Sequence, residues 1–246
     1  MTTPLTGLIN FRDVGGLPVT GGARTRNGVL YRSAALGDLG EAGSCALADL
    51  GVRTIVDLRA PSERAQAPSR LAAVLDVVEL PLLEGAMNPE LLRRLDDART
   101  RVPTLAELYA NLAADGGAVF AQVARVVASA DGGVLVHCTA GKDRTGVAVA
   151  LLLDAVGAER DAILADYAAT QAQLSGAWAE RMLAGMARIG LPITPEIADL
   201  ATSSPATAMA ALLDSLDADG GTTRYLTGHG LAEHELHRLR DRLIDS

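Results

Sequence analysis

Cysteine is scarce in this 246-residue sequence: Cys45 and Cys138, 93 positions apart, are its two thiols. Without paired spacing they offer neither a disulfide framework nor a cysteine-based zinc site, so a thiol is left free for other chemistry. Long apolar runs are lacking too, since stretches such as Val147 to Leu153 fall well short of the roughly 20 residues that span a bilayer. No basic start followed by an apolar stretch opens the chain at Met1-Thr2-Thr3-Pro4-Leu5-Thr6-Gly7, so the cytoplasm is the expected compartment. An excess of positive charge is absent as well. The formal net charge is −8, which excludes a general nucleic-acid or anionic-membrane binder and requires that any anion bind in a local basic pocket. No internal repeat, low-complexity linker or charge block divides the sequence, so residues 1–246 are expected to form one domain. His229, His234 and His237 have no cysteine or acid to complete a ligand set, so no metal and no cofactor are expected.

Hydrophobic residues make up 49% of the chain and charged residues 21%, the profile of a globular protein. Alanine is so frequent that helix propensity is high nearly everywhere, and periodicity and punctuation have to locate the elements. Gly28 to Ser33, Arg53 to Leu58, Val74 to Leu80 and Gly133 to His137 read as strands. Helices are expected before Gly51, over Leu105 to Leu112 and over Val119 to Val127. From Gly146 onward the sequence reads as all-helical, with breaks at Gly157, Gly190-Leu191-Pro192, Ser203-Ser204-Pro205 and Gly220-Gly221. This alternation predicts an α/β fold with a central, mainly parallel sheet flanked by helices, followed by a helical C-terminal part.

The chemistry concentrates in one stretch. A buried strand ending at His137 feeds a turn containing Gly141, and a helix opens at about Arg144 to Gly146. Successive backbone N–H groups at such a turn converge on an anion, and the helix N-terminus adds a favourable field. Cys138 stands at the start of this loop, where the field, the N–H groups and Arg144 all favour the thiolate, the nucleophilic form. Thr139, Ala140, Gly141, Lys142, Asp143 and Arg144 are the expected phosphate cradle. Arg144, five residues beyond the residue after Cys138, has a planar fork that can hold two phosphate oxygens into the transition state. Thr145 can place a hydroxyl near the cysteine sulfur and help it leave, and His137 can orient the loop through ring hydrogen bonds. Cys45, by contrast, has no basic or histidine neighbour and reads as a packing residue.

The ten residues His137-Cys138-Thr139-Ala140-Gly141-Lys142-Asp143-Arg144-Thr145-Gly146 do not stand alone. With Asn10-Phe11-Arg12-Asp13-Val14-Gly15-Gly16, Leu30-Tyr31-Arg32-Ser33, Val56-Asp57-Leu58-Arg59 and Asp166-Tyr167, the sequence resembles the bacterial tyrosine phosphatase family typified by mycobacterial protein tyrosine phosphatase B. The resemblance runs from about Gly7 to the last helix. It implies a three-layer tyrosine-phosphatase-like fold and hydrolysis of phosphotyrosine, often with phosphoserine, phosphothreonine or phosphoinositides, without a metal. Phosphorylated protein or phosphoinositide is then the expected partner.

Hydrolysis also needs an acid for the leaving oxygen and a base for water, and several carboxylates compete for that role. Glu84 lies after a strand, 54 residues before Cys138, where members of the resembling family often carry an aspartate. Asp143 lies inside the loop itself. Asp57 and Asp13 come from segments near the carboxyl ends of strands, where ligands bind in open α/β sheets. An ion-pair network of Asp57, Arg59, Arg12 and Asp13 bracing the loop is the alternative. Lys142 adds a second cation beside Arg144, which suits an inositol ring with more than one phosphate, or else it is a solvent-facing charge. Trp178, Met182, Met186 and Ile189 share one helical face, which is either core packing or, over residues 170–208, a helical lid of the kind found in the resembling family. A non-hydrolysing phospho-ligand module is disfavoured by the intact Cys138 and Arg144, and a thiol reductase by the lack of a nearby resolving cysteine.

Overall fold

Every residue of strand β5 (Gly133–His137) is buried, which requires a place inside a sheet covered on both faces. In the computed structural model, which describes residues 8–37, 39–82, 101–188 and 190–245, β5 is the middle strand of five. Its neighbours are β2 (Leu30–Ser33) and β3 (Val52–Asp57), both parallel to it. Outside them lie β1 (Arg12–Asp13), antiparallel to β2, and β4 (Asp76–Glu79), parallel to β3, in the order β1-β2-β5-β3-β4. The expected sheet is therefore present and mainly parallel, with the short β1 added by the Asn10 to Gly16 segment.

Side chains alternate across the sheet, so two hydrophobic clusters form. Tyr31, Ile55 and Leu135 pack with Leu39 and Leu47 around helix α1 (Gly40–Asp49) on one face. Leu30, Val56, Val134 and Val136 face the larger cluster, with α3 (Leu105–Ser129) and α4 (Asp143–Ala155). Between α1 and α3 in the chain comes the short α2 (Pro61–Gln66). Each fully buried leucine, isoleucine or valine contributes roughly 1.5–3 kcal/mol by leaving water. Helix α4 is buried at all positions but Asp154, because further helices cover its outer side. The helices that follow are α5 (Arg160–Gln173), α6 (Ala177–Arg188), α7 (Pro195–Thr202), α8 (Ala206–Ala218), α9 (Gly221–Gly228) and α10 (Glu233–Leu243), and of these α5, α8 and α9 pack on α4. The layers are helix, sheet and helices, as expected.

Two details depart from the sequence reading. Separate helices were expected over Leu105 to Leu112 and Val119 to Val127, yet α3 is one helix of 25 residues that runs through Gly116-Gly117. Both glycines are sites of close approach: a Cβ on Gly116 would meet Leu82 Cδ2 at 2.8 Å, and one on Gly117 would meet the His229 ring at 2.2 Å. Close packing against neighbouring groups outweighs the roughly 1 kcal/mol per glycine of lost helix propensity. The second departure is the break at residues 174–176, which separates α5 from α6. On α6 only Met186 is buried, while Trp178 and Met182 are half-buried and Ile189 lies outside the described residues.

Candidate active site

The register of the parallel strands places Ser33, Asp57 and His137 side by side at the carboxyl edge of the sheet, and Cys138 follows directly. Both flanking strands continue past this line and grip the loop: the Leu58 N–H donates to His137 O at 2.9 Å and the Ala35 N–H to Thr139 O at 3.0 Å. Gly141 turns the chain with φ +67°, and a Cβ there would lie 2.3 Å from Ser33 O, so no other residue fits. Helix α4 then begins at Asp143.

The loop carbonyls are tied away from the centre. Asn10 Nδ2 donates to Ala140 O at 3.2 Å and Gly141 O at 2.9 Å, and Arg32 Nη2 donates to Gly141 O at 2.9 Å. A peptide carries its C=O and N–H on opposite sides, so this arrangement frees N–H groups for an anion. Asn10 is fully buried with φ +57°, a left-handed conformation that asparagine tolerates better than most residues. Its Oδ1 accepts from Arg12 Nη1 at 2.5 Å. Arg12 and Arg32 both reach Asp166 on α5, each at 2.6 Å. Burial works to raise the Asp166 carboxyl, but Arg32 and Arg12 outweigh it and hold it below its ordinary range.

Asp13 does not join that network. Successive residues of a strand point to opposite sides, and Asp13 instead accepts the N–H groups of Gly15 at 2.8 Å and Gly28 at 2.7 Å, bracing the N-terminal turn. Asp57 and Arg59 form a separate buried pair, with Arg59 Nη2 donating to Asp57 Oδ2 at 2.7 Å and to Ser69 at 2.9 Å. His137 stands beside them with Nε2 3.7 Å from Asp57 Oδ2. Its Nδ1 is 3.2 Å from Cys138 O, and because a carbonyl only accepts, Nδ1 carries the proton. Burial lowers the His137 pKa despite the nearby Asp57 carboxylate, so the ring is neutral at pH 7.

The floor of the site is a contact that sequence reasoning missed. Glu63, on α2, accepts Arg144 Nη1 at 2.6 Å and Nη2 at 2.7 Å, and its carboxylate also receives the Thr139 hydroxyl at 2.5 Å and the Ala60 N–H at 2.8 Å. Burial works to raise the Glu63 carboxyl and lower the Arg144 guanidinium, but the pairing reverses both, so the two stay charged. Arg144 Nε has no partner among the described residues. Proline at the first position of α2 with glutamate two residues on is a helix-start pattern, the one local signal that could have drawn attention to Glu63.

Cys138 is 2% exposed. Thr145 is fully buried, and its hydroxyl has no hydrogen-bond partner among the described residues. Lys142 is not solvent-facing: it is fully buried, with Nζ 2.6 Å from Leu200 O on α7 and 3.4 Å from Asp143 Oδ1. Asp143 Oδ1 also accepts the Tyr109 hydroxyl at 2.7 Å. Glu84, the other acid candidate, lies outside the described residues. The fold thus assembles Cys138, Thr139, Ala140, Gly141, Lys142, Asp143, Arg144 and Thr145 around one centre, with His137, Asp57 and Arg59 behind it and Asp13 apart.

Comparison with known proteins places the whole chain in a family. Residues 3–245 match the model of the tyrosine phosphatase family. A protein of Cupriavidus necator is 34% identical over 220 residues, 87% of this chain and 78% of its own. The tyrosine-protein phosphatase of Nostoc commune is 34% identical over 219 residues, 86% of this chain and 73% of its own. The triple specificity protein phosphatase PtpB of Mycobacterium tuberculosis is 31% identical over 277 aligned positions, 98% of each chain. A family match along nearly the whole length and relatives at 31–34% identity lead to one conclusion: this chain belongs to the tyrosine phosphatase family and is a protein tyrosine phosphatase.

Proposed function

We propose that this enzyme hydrolyses phosphate monoesters through a phosphocysteine intermediate, with Cys138 as nucleophile, Arg144 as phosphate clamp and Asp143 as proton donor. In the first step the Cys138 Sγ–phosphorus bond forms and the bond to the leaving oxygen breaks, while Asp143 gives that oxygen its proton. In the second step water attacks phosphorus, Asp143 takes a proton from it, and the sulfur leaves with help from the Thr145 hydroxyl. The observation that carries this reading is the Glu63–Arg144 pair: a guanidinium fixed by two hydrogen bonds of 2.6 and 2.7 Å beside Cys138 is pre-organised for charge that grows in the transition state. Asp143 is preferred over Asp57, whose oxygens are engaged by Arg59, and over Asp13, which serves the N-terminal turn.

Phosphotyrosine is the proposed main substrate, with phosphoserine, phosphothreonine and phosphoinositides accepted as well, in the cytoplasm. What supports the breadth is Lys142 beside Arg144, together with the triple specificity carried in the name of the mycobacterial relative. A phosphate on a second ring position would draw the Lys142 ammonium from Leu200 O, which ties substrate breadth to α7. Residues 170–208 are proposed as a helical cover of a single catalytic unit, on the strength of that same contact. Vanadate-sensitive hydrolysis of p-nitrophenyl phosphate that is lost in Cys138→Ser tests the mechanism. A panel of phosphotyrosine, phosphoserine and phosphothreonine peptides and phosphoinositides at matched concentration tests the substrate class, and equal rates throughout the panel would refute the preference for phosphotyrosine.

A further inference from the structure

Asp143 is held through one oxygen. Its Oδ1 accepts Tyr109 Oη at 2.7 Å and lies 3.4 Å from Lys142 Nζ, whereas Oδ2 has no hydrogen bond among the described residues. Tyr109 Oη is 2.6 Å from Tyr167 Oη, and the two rings meet edge to face with centroids 5.9 Å apart. The proton positions follow from chemistry. The unprotonated oxygen of a carboxyl group only accepts, so Tyr109 donates to Asp143 and Tyr167 donates to Tyr109. Both tyrosines are buried, at 0% and 1% exposure, so each hydroxyl needs a partner inside the protein. Among the described residues, the Asp143 carboxyl group is where their chained hydroxyls end. Burial together with that carboxylate raises the Tyr109 pKa well above its ordinary value, so it remains a donor.

The chain joins three helices: Tyr109 on α3, Asp143 on α4 and Tyr167 on α5. Tyr167 reaches its place over Gly146, where a Cβ would stand 3.0 Å from its ring. We propose that Tyr109, backed by Tyr167, is a positioning residue for proton transfer: by occupying Oδ1 of Asp143 it leaves Oδ2 to carry the proton to the leaving group. This rests on the assignment of Asp143 as proton donor. When the Sγ–phosphorus bond forms and the phosphorus–oxygen bond breaks, the Oδ2 proton passes to the leaving oxygen and Asp143 becomes a carboxylate. Tyr109 neither gains nor loses a proton, but its hydrogen bond now points at an ionised acceptor and strengthens, which favours the transition state over the ground state.

The test compares two leaving groups. Nitrophenolate departs without a proton, whereas phenolate from phenyl phosphate needs one. Tyr109→Phe is expected to lower kcat/KM for phenyl phosphate about tenfold more than for p-nitrophenyl phosphate, with vanadate inhibition unchanged. Asp143→Asn is expected to show the same selectivity more strongly, and the double variant to fall no further than Asp143→Asn alone. If Asp143→Asn is selective and Tyr109→Phe lowers both substrates equally or neither, this inference fails and the donor assignment stands. If Asp143→Asn is itself unselective, the donor assignment fails. Should Tyr109→Phe not fold, Tyr167→Phe replaces it, with a smaller selective loss expected and no selectivity overturning the proposal.

Discussion

Replacing Glu63 with glutamine separates an Arg144 held in place by the protein from one that finds its position only when phosphate binds. The wild-type carboxylate accepts both guanidinium nitrogens, at 2.6 and 2.7 Å. An amide of the same shape keeps one accepting oxygen and turns an NH2 group toward the other nitrogen, donor against donor. The Arg144 side chain is 5% exposed, so its charge loses a counter-ion without gaining much water. Breaking a buried pair costs about 3–5 kcal/mol. Glu63 is 16% exposed and water restores part of the loss. The expected destabilisation is therefore at the low end, about 3 kcal/mol, or a Tm lowered by about 6–12 °C for a chain of this size. Vanadate adopts the geometry of the transition state, so with the clamp loosened it should raise the Tm of the variant by less than it raises that of the wild type. With the clamp loosened by about 2–3 kcal/mol in the transition state, kcat/KM should fall about 30- to 150-fold. The pH dependence adds a check. Because pairing depresses the Glu63 carboxyl in the folded state, its contribution is present above the ordinary glutamate pKa and is lost as the pH falls through the lower folded value. The Tm difference between wild type and variant should thus close on acidification. Differential scanning fluorimetry across pH, with and without vanadate, reads all of this. A variant with unchanged Tm and unchanged kcat/KM would refute the reasoning.

Cys138→Ser is expected to abolish turnover of p-nitrophenyl phosphate while still binding phosphate esters, measured by calorimetry; appreciable turnover would exclude the covalent route. Asp166→Asn leaves the fully buried Arg32 short of a counter-charge, and about 3–5 kcal/mol of stability should be lost at neutral pH. The Asp166 pKa is also depressed in the folded state, so its share is lost as the pH falls through that depressed value, and the Asn variant should show a flatter acid limb in denaturant titrations. Gly141→Ala forces a Cβ to 2.3 Å from Ser33 O in a left-handed backbone that alone costs about 1–2 kcal/mol. Displacement of the loop should lower kcat/KM about 100-fold even where the protein still folds, and near wild-type activity would contradict the tight turn described at this position.

The strand, loop and helix from Gly133 to Ala155 were readable because they are contiguous: a buried strand, a glycine turn and a helix start each leave a local mark. Two helices were expected where α3 is continuous, and Gly116 and Gly117, in the interval between them, act as a clearance for Leu82 and His229. Of the two readings of Lys142, burial excludes the solvent-facing one, and nothing near it in the chain indicates that Leu200 O will receive it. Asp13 and Arg12, adjacent in sequence, were read together and are parted by the alternation of a strand of two residues.

What the sequence by itself determined is the proposed nucleophile and its candidate cradle: Cys138, the loop through Arg144 and the sheet edge they stand on, all encoded within a short span by residue type and spacing. What only the tertiary structure decided is which distant groups complete them. Glu63 reaches Arg144 across 81 positions, Tyr109 reaches Asp143 across 34, and Asp166 reaches Arg32 across 134. Periodicity records which face of an element is buried but not which partner it meets there. The pairing of charges and hydroxyls in the interior is set by how helices close over the sheet, and that is where this phosphatase acquires the means to hold Arg144 and Asp143 in place.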